Sequence, residues 1–505
     1  MLERSKNTKR TTGHLSRLLA SVICVVGLAA VLVSCGDNEG YSYTVRGTVT
    51  GLVGGGLVLQ NNGTDDQTVD ANGAFVFGRA ITTGGSYSVT IKTMPPSLSQ
   101  TCTVVNGTGT INDAPVTDVI IICMAPPPRL VVDPSGRFAY AANYKTNNIS
   151  AFTIDAVTGA LTPILGSPFA AGTNPNSITI DPTGNFLYTA NLNSNDVSAY
   201  LIDNVTGALT ETAGSPFSAG TNPYAVTISA AGKYAYTANT GSGDISAYVI
   251  NPVTGALIPI IGSPFAAGTN PYRVTVDAST SFAYAVNTGS STISVYAIDP
   301  VTGVLTAGTG AVTGLNPSVI SVDPLTKFAH VANAGSNTIS VFTIDPVTGN
   351  LTPGLTVFAG AMPGAVMVDP TGQFAYTADF AGNTISVFTI NQTNGSLTTG
   401  TAVLTNALPY VISIIPSTAA LSGQYAYAAN YGSNNISVYA INPATGALTA
   451  GTAAASGTNP YAFTIDPSGQ FSYALNAGTN NISVYTINQT TGALTPGAVV
   501  PLPAP

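Results

Sequence analysis

Charged side chains are scarce in this chain. Only 7% of the 505 residues are Asp, Glu, Lys or Arg, and beyond residue 34 nine basic side chains stand against 21 acidic ones, a net charge of −12. A nucleic-acid partner requires a basic surface that neutralises phosphates, so the sequence excludes that class of function. The chain has no Trp and only two His, with no Cys-x-x-Cys motif and no His-rich cluster. We therefore expect no metal site, no covalent haem and no cofactor.

The longest apolar run is too short for a comfortable membrane span. Residues 18–33 supply 16 uncharged, mostly apolar residues, whereas a spanning helix needs about 20. Five basic residues precede this run, which is typical of a secretory signal. The ending Leu32-Val33-Ser34-Cys35 is similar to the lipobox of bacterial lipoproteins. This resemblance implies a signal peptide over 1–34 and a lipidated Cys35; the alternative is an ordinary signal peptide with an incidental cysteine.

The export signal sets the expected location and redox environment. We expect an exported protein of the cell envelope, periplasmic or surface-exposed, anchored to a membrane by lipid, and to the outer membrane if the cell has one. Cys102 and Cys123 form an even pair within one short segment, and outside the cytoplasm such a pair usually forms a disulfide. Two buried free thiols are the alternative.

Composition divides the mature chain into two folded parts. A polar tether covers 35–42, and short β patterns separated by turns fill 43–124, which indicates a small β-sandwich. Pro126-Pro127-Pro128 makes 125–128 a stiff linker. Residues 129–505 then contain eight copies of one phrase, from FAYAANYKTNNISAF to FSYALNAGTNNISVY, spaced by 46 to 51 residues.

A period in the forties with strand patterns in each unit is typical of a β-propeller. Each unit reads as four strands, called a to d, so the sequence predicts an all-β chain with an eight-bladed propeller, or seven-bladed as the alternative. The repeated Asp-Pro-x-Gly segments suit tight turns, and a recurring Tyr suits packing between blades. His330 replaces this Tyr once, so we interpret it as a packed core residue.

The segments YAAN, YTAN, YAVN, HVAN and YALN, each followed by a phrase such as NISVY, resemble YVTN-type repeats. With the Asp-Pro-x-Gly turns, residues 129–505 are similar to the lactonase-type β-propeller family. That family is usually seven-bladed, and some relatives are 6-phosphogluconolactonases. The resemblance implies a functional face where the d–a and b–c loops meet, and His, Arg and carboxylates at the channel mouth of enzymatic relatives.

This chain departs from that pattern at the expected mouth. The residues that begin the innermost strands, here called the mouth ring, contain no His and no carboxylate: Arg129, Asn176, Tyr224, Tyr272, Ser318, Gly364, Tyr410 and Tyr461. The candidate ligand-binding residues are Arg129, Asn176, Tyr224, Tyr272, Arg273, Tyr410 and Tyr461. Asp379, which replaces the Asn that ends strand b in blade six, is the one candidate for a general base; its alternative is an Asn-to-Asp exchange that keeps the turn bond.

Without a catalytic group in the mouth ring, the sequence favours a non-catalytic module that binds a neutral or polar ligand, a sugar or a protein. The alternative is a lactonase-like hydrolase related to 6-phosphogluconolactonases. We expect a monomer whose mouth is wet, so that Tyr224→Ala with Tyr272→Ala would weaken ligand binding and leave the melting temperature nearly unchanged.

Overall fold

The structure is a computed structural model that describes residues 41–50, 52, 56–71, 73–93, 101–124, 129–415 and 424–504. The expected signal segment, residues 35–40 of the expected tether, the Pro linker and with them Cys35 lie outside these residues, whereas Ser42, expected in the tether, belongs to the first strand. Within the described ranges the chain is all-β and has no helix, which confirms the predicted fold class. No helix there is long and apolar enough to cross a membrane.

Ten strands precede the repeats. They are β1 (Ser42–Tyr43), β2 (Val45–Thr50), β3 (Leu57–Asn61), β4 (Asp65–Val69), β5 (Gly73–Val76), β6 (Ile81–Thr82), β7 (Ser86–Thr93), β8 (Thr101–Val105), β9 (Thr108–Thr110) and β10 (Val116–Met124). Two four-stranded sheets, ordered β5-β2-β10-β8 and β4-β3-β7-β9, form the predicted small sandwich. Alternating apolar residues such as Leu57, Leu59 and Ile121 are fully buried in its core.

A disulfide joins Cys102 and Cys123, as the sequence predicts. The two residues are direct partners in the antiparallel pair of β8 and β10. The bond therefore links neighbouring strands of one sheet, while β9, which lies between them in sequence, pairs with β7 of the other sheet.

The repeats fold into eight separate sheets, one for each repeat. Blades one to four contain β11 (Leu130–Val132), β12 (Phe138–Asn143), β13 (Asn148–Ile154), β14 (Leu161–Pro163), β15 (Phe169–Ala170), β16 (Pro175–Ile180), β17 (Phe186–Asn191), β18 (Asp196–Ile202), β19 (Leu209–Glu211), β20 (Phe217–Ser218), β21 (Pro223–Ile228), β22 (Tyr234–Asn239), β23 (Asp244–Ile250), β24 (Leu257–Pro259), β25 (Phe265–Ala266), β26 (Pro271–Val276), β27 (Phe282–Asn287), β28 (Thr292–Ile298), β29 (Leu305–Ala307) and β30 (Ala311–Val312).

Blades five to eight repeat this order. They contain β31 (Pro317–Val322), β32 (Phe328–Asn333), β33 (Thr338–Ile344), β34 (Leu351–Pro353), β35 (Val357–Phe358), β36 (Pro363–Val368), β37 (Phe374–Asp379), β38 (Thr384–Ile390), β39 (Leu397–Thr399), β40 (Val403–Leu404), β41 (Pro409–Ile415), β42 (Gln424–Asn430), β43 (Asn435–Ile441), β44 (Leu448–Ala450), β45 (Ala454–Ala455), β46 (Pro460–Ile465), β47 (Phe471–Asn476), β48 (Asn481–Ile487) and β49 (Leu494–Pro501). Strands a of neighbouring blades contact one another around the ring, and those of blades one and eight, β11 and β46, are also in contact.

One buried hydrogen bond recurs at every junction between blades. The Tyr of strand b donates its hydroxyl to the Gly carbonyl of the c–d turn in the next blade, as Tyr188 does to Gly255 at 2.9 Å. Tyr473 of blade eight makes the same bond to Gly159 of blade one at 3.2 Å. The ring therefore closes with eight blades, through a contact of the same kind as the other seven and without a strand shared between blades one and eight.

The turn aspartates act as turn formers. Asp181 Oδ1 accepts the Phe186 amide at 2.7 Å and Asp181 Oδ2 accepts the Thr183 amide at 3.0 Å. Gly184 completes this turn with a φ of 77°, a value that suits glycine. Folding alone accounts for the repeat of this motif.

His330 fills the tyrosine position at one junction. Its Nε2 lies 3.0 Å from the Gly395 carbonyl, so Nε2 carries the proton and donates, while Nδ1 is buried and has no partner among the described residues. Burial lowers the pKa of His330, and the Gly395 bond opposes this shift. The interpretation of His330 as a packed core residue is confirmed.

We expect His330 to make stability depend on pH. Its folded-state pKa lies below its unfolded value of 6.5, so the unfolded state binds more protons as the pH falls through 6.5, and the free energy of unfolding decreases. In His330→Gln the amide can still donate to Gly395 and cannot titrate. The loss of melting temperature between pH 7.5 and pH 5 should therefore be smaller in this variant than in the wild type; equal losses would contradict the assignment.

The repeated Asn at the end of strand b anchors the b–c loop. Asn239 Nδ2 donates to Asp244 at 2.7 Å and to Ser246 at 2.9 Å, but its Oδ1 is buried without a partner in the described residues. In blade eight the equivalent Asn476 Oδ1 accepts a bond from Ser456 at 2.6 Å. Ala219 occupies the Ser456 position in blade three, which explains why the Asn239 oxygen is unpaired.

This difference predicts a stabilising substitution. Ala219→Ser places a hydroxyl beside Asn239 Oδ1 and should raise the free energy of unfolding by about 1 kcal/mol, whereas Ser456→Ala should lower it by about 1–3 kcal/mol because a buried acceptor loses its donor. Denaturant unfolding measures both changes, with Ala266→Ser at an exposed site as the control. A destabilised Ala219→Ser protein would argue against the assignment.

Candidate functional site

The mouth ring comes together at the centre of the propeller, at the start of the innermost strands. Its tyrosines are buried: Tyr224 is 1%, Tyr272 3% and Tyr410 5% exposed. The expectation of a wet mouth is therefore wrong. These rings belong to one apolar cluster with residues of the b–c and d–a loops, and Ile120 of the sandwich packs against the same cluster.

Three of the tyrosines form the centre of this cluster. The rings of Tyr224 and Tyr272 lie 4.4 Å apart, and their hydroxyls are 3.1 Å from each other. The Tyr410 ring packs 5.9 Å from Tyr431, and its buried hydroxyl has no partner among the described residues. Burial raises the pKa of Tyr272 and of Tyr410 well above the usual value of 10.0. These phenols stay protonated and can donate hydrogen bonds, but they cannot act as bases at neutral pH.

Arg129 connects blade one to the next two blades. Its Nη2 donates to Asn176 Oδ1 at 2.6 Å, and its Nε donates to the Asn176 carbonyl at 3.3 Å. Asn176 Nδ2 in turn donates to the Tyr224 carbonyl at 2.9 Å. The guanidinium also lies 4.5 Å from the centre of the Tyr144 ring. The side chains of Arg129 and Asn176 thus join the innermost strands of blades one, two and three by hydrogen bonds.

Arg273, the residue after Tyr272, is different. It lines a central cavity of about 290 Å³ together with Tyr272, Tyr410 and Tyr461, and no Asp or Glu lines that cavity. The one ion pair within the described ranges joins Lys92 and Asp66 in the sandwich, and the Arg273 guanidinium makes no hydrogen bond to another described residue. Burial lowers the pKa of Arg273, but a guanidinium remains charged. A half-buried cation without a counter-ion among the described residues favours an anionic ligand group.

A second cavity of about 200 Å³ lies at the junction of blades eight and one. Arg129, Lys145 and Tyr461 are among its lining residues, and it too has no Asp or Glu in its wall. The described ranges contain nine basic residues, and three of them line these two cavities: Arg129, Lys145 and Arg273. The protein as a whole is acidic. The described residues contain no group of His, Cys, Asp and Glu that could hold a metal.

Asp379 lies apart from these cavities, fully buried at the end of strand b. Its carboxylate accepts hydrogen bonds from Thr377 at 2.7 Å, Thr384 at 2.9 Å and Ser386 at 2.7 Å. Burial raises its pKa, while these bonds oppose the shift. In blade four, Asn287 bonds the equivalent Thr292 and Ser294 with the donor direction reversed. Asp379 thus keeps the local bonds of the repeated Asn, and its role as a base stays a prediction.

The sequence reasoning missed the residues that cover the mouth. Ala334, Phe380 and Tyr431 follow the repeated Asn in blades five, six and seven, and each is at most 8% exposed. Cys123 of the sandwich lines the central cavity. The sequence does distinguish these three loop positions, because they are apolar, whereas the equivalent positions in blades three and four are Thr240 and Thr288.

The fold is a β-propeller of eight complete blades with a cavity of about 290 Å³ at its centre. The chain belongs to the family described as Lactonase, 7-bladed beta-propeller, whose profile matches residues 127–223, 213–321, 309–413 and 416–505. No curated protein matches the chain. Membership confirms the resemblance inferred from the repeats and supports the lactonase alternative better than the non-catalytic module that the sequence favoured.

Solved structures share the fold at low identity. A Bacteroides uniformis protein, provisionally named a 6-phosphogluconolactonase, has a TM-score of 0.49 at 21% identity, covering 66% of this chain and 97% of its own. The periplasmic gluconolactonase PpgL of Pseudomonas aeruginosa has a TM-score of 0.46 at 17% identity, with 74% and 95% covered. Sqt1 from Chaetomium thermophilum reaches 0.51 at 10% identity, with 72% and 93% covered. At these identities the similarity extends to the fold alone.

Proposed function

We propose that this protein hydrolyses a lactone in the central cavity of its propeller. The observation that carries the proposal is the charged Arg273 guanidinium, which has no counter-ion and lines the same cavity as the unpartnered Tyr410 hydroxyl. Family membership supplies the reaction class. The cavity, at about 290 Å³, is near the lower end of the range for small-molecule sites.

The cavity residues suit the charge that develops during lactone hydrolysis. Water adds to the carbonyl carbon, the carbonyl oxygen becomes an oxyanion, the ring C–O bond breaks, and the products are an alcohol and a carboxylate with release of a proton. A guanidinium and a protonated phenol that donate hydrogen bonds to the oxyanion would stabilise this charge. Arg273 would then pair with the product carboxylate. No residue of the cavity wall acts as a general base in this scheme, so the attacking water loses its proton to solvent.

Substitution of Arg273 tests this proposal. Hydrolysis of a panel of sugar lactones is followed by acid release. The control for Arg273→Gln is Arg137→Gln, which changes an exposed arginine at the a–b turn of blade one, outside the cavity wall. We expect Arg273→Gln to lower kcat/KM by about 10²–10³-fold, the usual effect of removing one oxyanion donor, and Arg137→Gln to leave it unchanged. The melting temperature of Arg273→Gln should stay equal or rise, because a buried unpaired charge is removed.

Two further outcomes separate the alternatives. Asp379→Asn should retain hydrolysis; loss of activity with an unchanged melting temperature would return the role of base to Asp379. If no lactone is hydrolysed and sugars or proteins bind instead, with binding abolished in Arg273→Gln, the propeller is the non-catalytic module.

We also propose export and a lipid anchor at Cys35, supported by the basic and apolar segment before it. Cys35→Ala should leave the precursor uncleaved or release the protein from the membrane fraction. Unchanged processing and fractionation would contradict the anchor.

A further inference from the structure

The two ends of the propeller channel differ. At the d–a and b–c end, the mouth ring is buried except for the half-buried Gly364, and the loop residues Phe380 and Tyr431 are buried too. Ile120 packs against their cluster, and Cys123 lines the cavity below them. Both residues belong to β10, which enters the linker that leads into blade one. The sandwich therefore takes part in closing this end of the channel.

The opposite end stays accessible. Near the a–b turns, the innermost strands carry a ring of half-buried residues, here called the hydroxyl ring: Thr179, Thr227, Thr275, Ser321, Ser413 and Thr464, with the apolar Val132 in blade one and Met367 in blade six. Some of these hydroxyls bond the next blade, as Thr227 does to the Val274 carbonyl at 2.7 Å. The ring thus forms a hydroxylated wall that water reaches.

The central cavity reaches both the mouth ring and the hydroxyl ring. Along β46, Tyr461 belongs to the mouth ring and Thr464 to the hydroxyl ring, and both line the cavity. The cavity that Arg273 lines therefore extends from the mouth ring towards the a–b turns.

We propose that the N-terminal sandwich plugs one mouth of the propeller, and that small hydroxylated ligands reach Arg273 from the a–b turn face past the hydroxyl ring. This inference reverses the functional face expected from the sequence and does not depend on whether the ligand is hydrolysed. The site is then a blind pocket whose floor includes the sandwich.

Two serines of one strand provide a matched test. Ser318, in the mouth ring, is 3% exposed and lines the cavity, whereas Ser321, three residues further along β31, is half-buried in the hydroxyl ring. Each is changed to Cys in a full-length chain in which Cys24 and Cys35 are Ser, so that the remaining cysteines form the Cys102–Cys123 disulfide. A small charged methanethiosulfonate is the probe, and mass spectrometry gives the labelling rate.

We expect Ser321→Cys to react at least about tenfold faster than Ser318→Cys, because position 321 lies at the entrance, whereas position 318 lies deeper in the cavity and is reached only past that entrance as it opens locally. In the double variant, a bulky maleimide is first attached at position 321, and position 318 should then no longer react with the small reagent. Equal rates in the single variants, or continued labelling of position 318 after the block, would overturn the proposal. Melting temperatures identify any unfolded variant, and Thr275→Cys then replaces Ser321→Cys.

Discussion

Tyr224→Ala combined with Tyr272→Ala should lower the melting temperature sharply. Each substitution removes a buried ring from a close pair with centroids 4.4 Å apart, and removal of a large buried aromatic side chain costs about 3–5 kcal/mol. The two losses are coupled because the rings touch, so their sum need not be additive. Thermal unfolding monitored by circular dichroism measures the effect.

The matched control is Tyr224→Phe with Tyr272→Phe, which keeps both rings and loses the contact between hydroxyls. This variant should lose only about 1 kcal/mol, the usual net value of one hydrogen bond. If the alanine pair melts within a degree of the wild type, the rings do not pack as described, and the sequence-based expectation of a wet mouth is restored.

Tyr473→Ala should destabilise the propeller as much as Tyr236→Ala does. Both tyrosines are fully buried and bond a Gly carbonyl of the next blade, Tyr473 across the junction of the chain ends and Tyr236 within the ring. Each substitution should cost about 3–5 kcal/mol through the cavity that it leaves. Chemical denaturation of the two variants in parallel gives the comparison.

The comparison tests how the ring closes. A Tyr473→Ala loss well below that of Tyr236→Ala would mean that the last junction is weaker than the others. Tyr473→Phe and Tyr236→Phe separate the hydrogen bond from the packing of the ring.

The propeller could be predicted from the sequence because its information is local and repeated. A strand pattern, an Asp turn and a Tyr at a fixed offset recur in each unit, so one interpreted repeat describes eight blades. The disulfide between Cys102 and Cys123 was equally predictable, since the described residues contain no other cysteine.

The state of the mouth could not be predicted in the same way. Whether the mouth is wet depends on what packs against its cluster of side chains. Ile120 of the sandwich packs against that cluster, whose members are spread along the chain from Leu130 to Val500. No repeat encodes such a contact, because the sandwich occurs once. The position of Asp379 was clear from its repeat, but its three hydroxyl partners become evident only from the packing around strand b.

Because side-chain hydrogen bonds of one kind join neighbouring blades, each blade is an interchangeable unit of the ring. Every sheet is built from one sequence repeat. Duplication or deletion of one repeat would therefore add or remove one complete blade. The new neighbours meet through the same Tyr-to-Gly bond as the old ones. If one blade were instead built from strands of both chain ends, the first and last repeats would have to supply complementary parts of that blade. A ring of eight blades can therefore close through the same kind of contact that joins its inner blades, in a family described as seven-bladed.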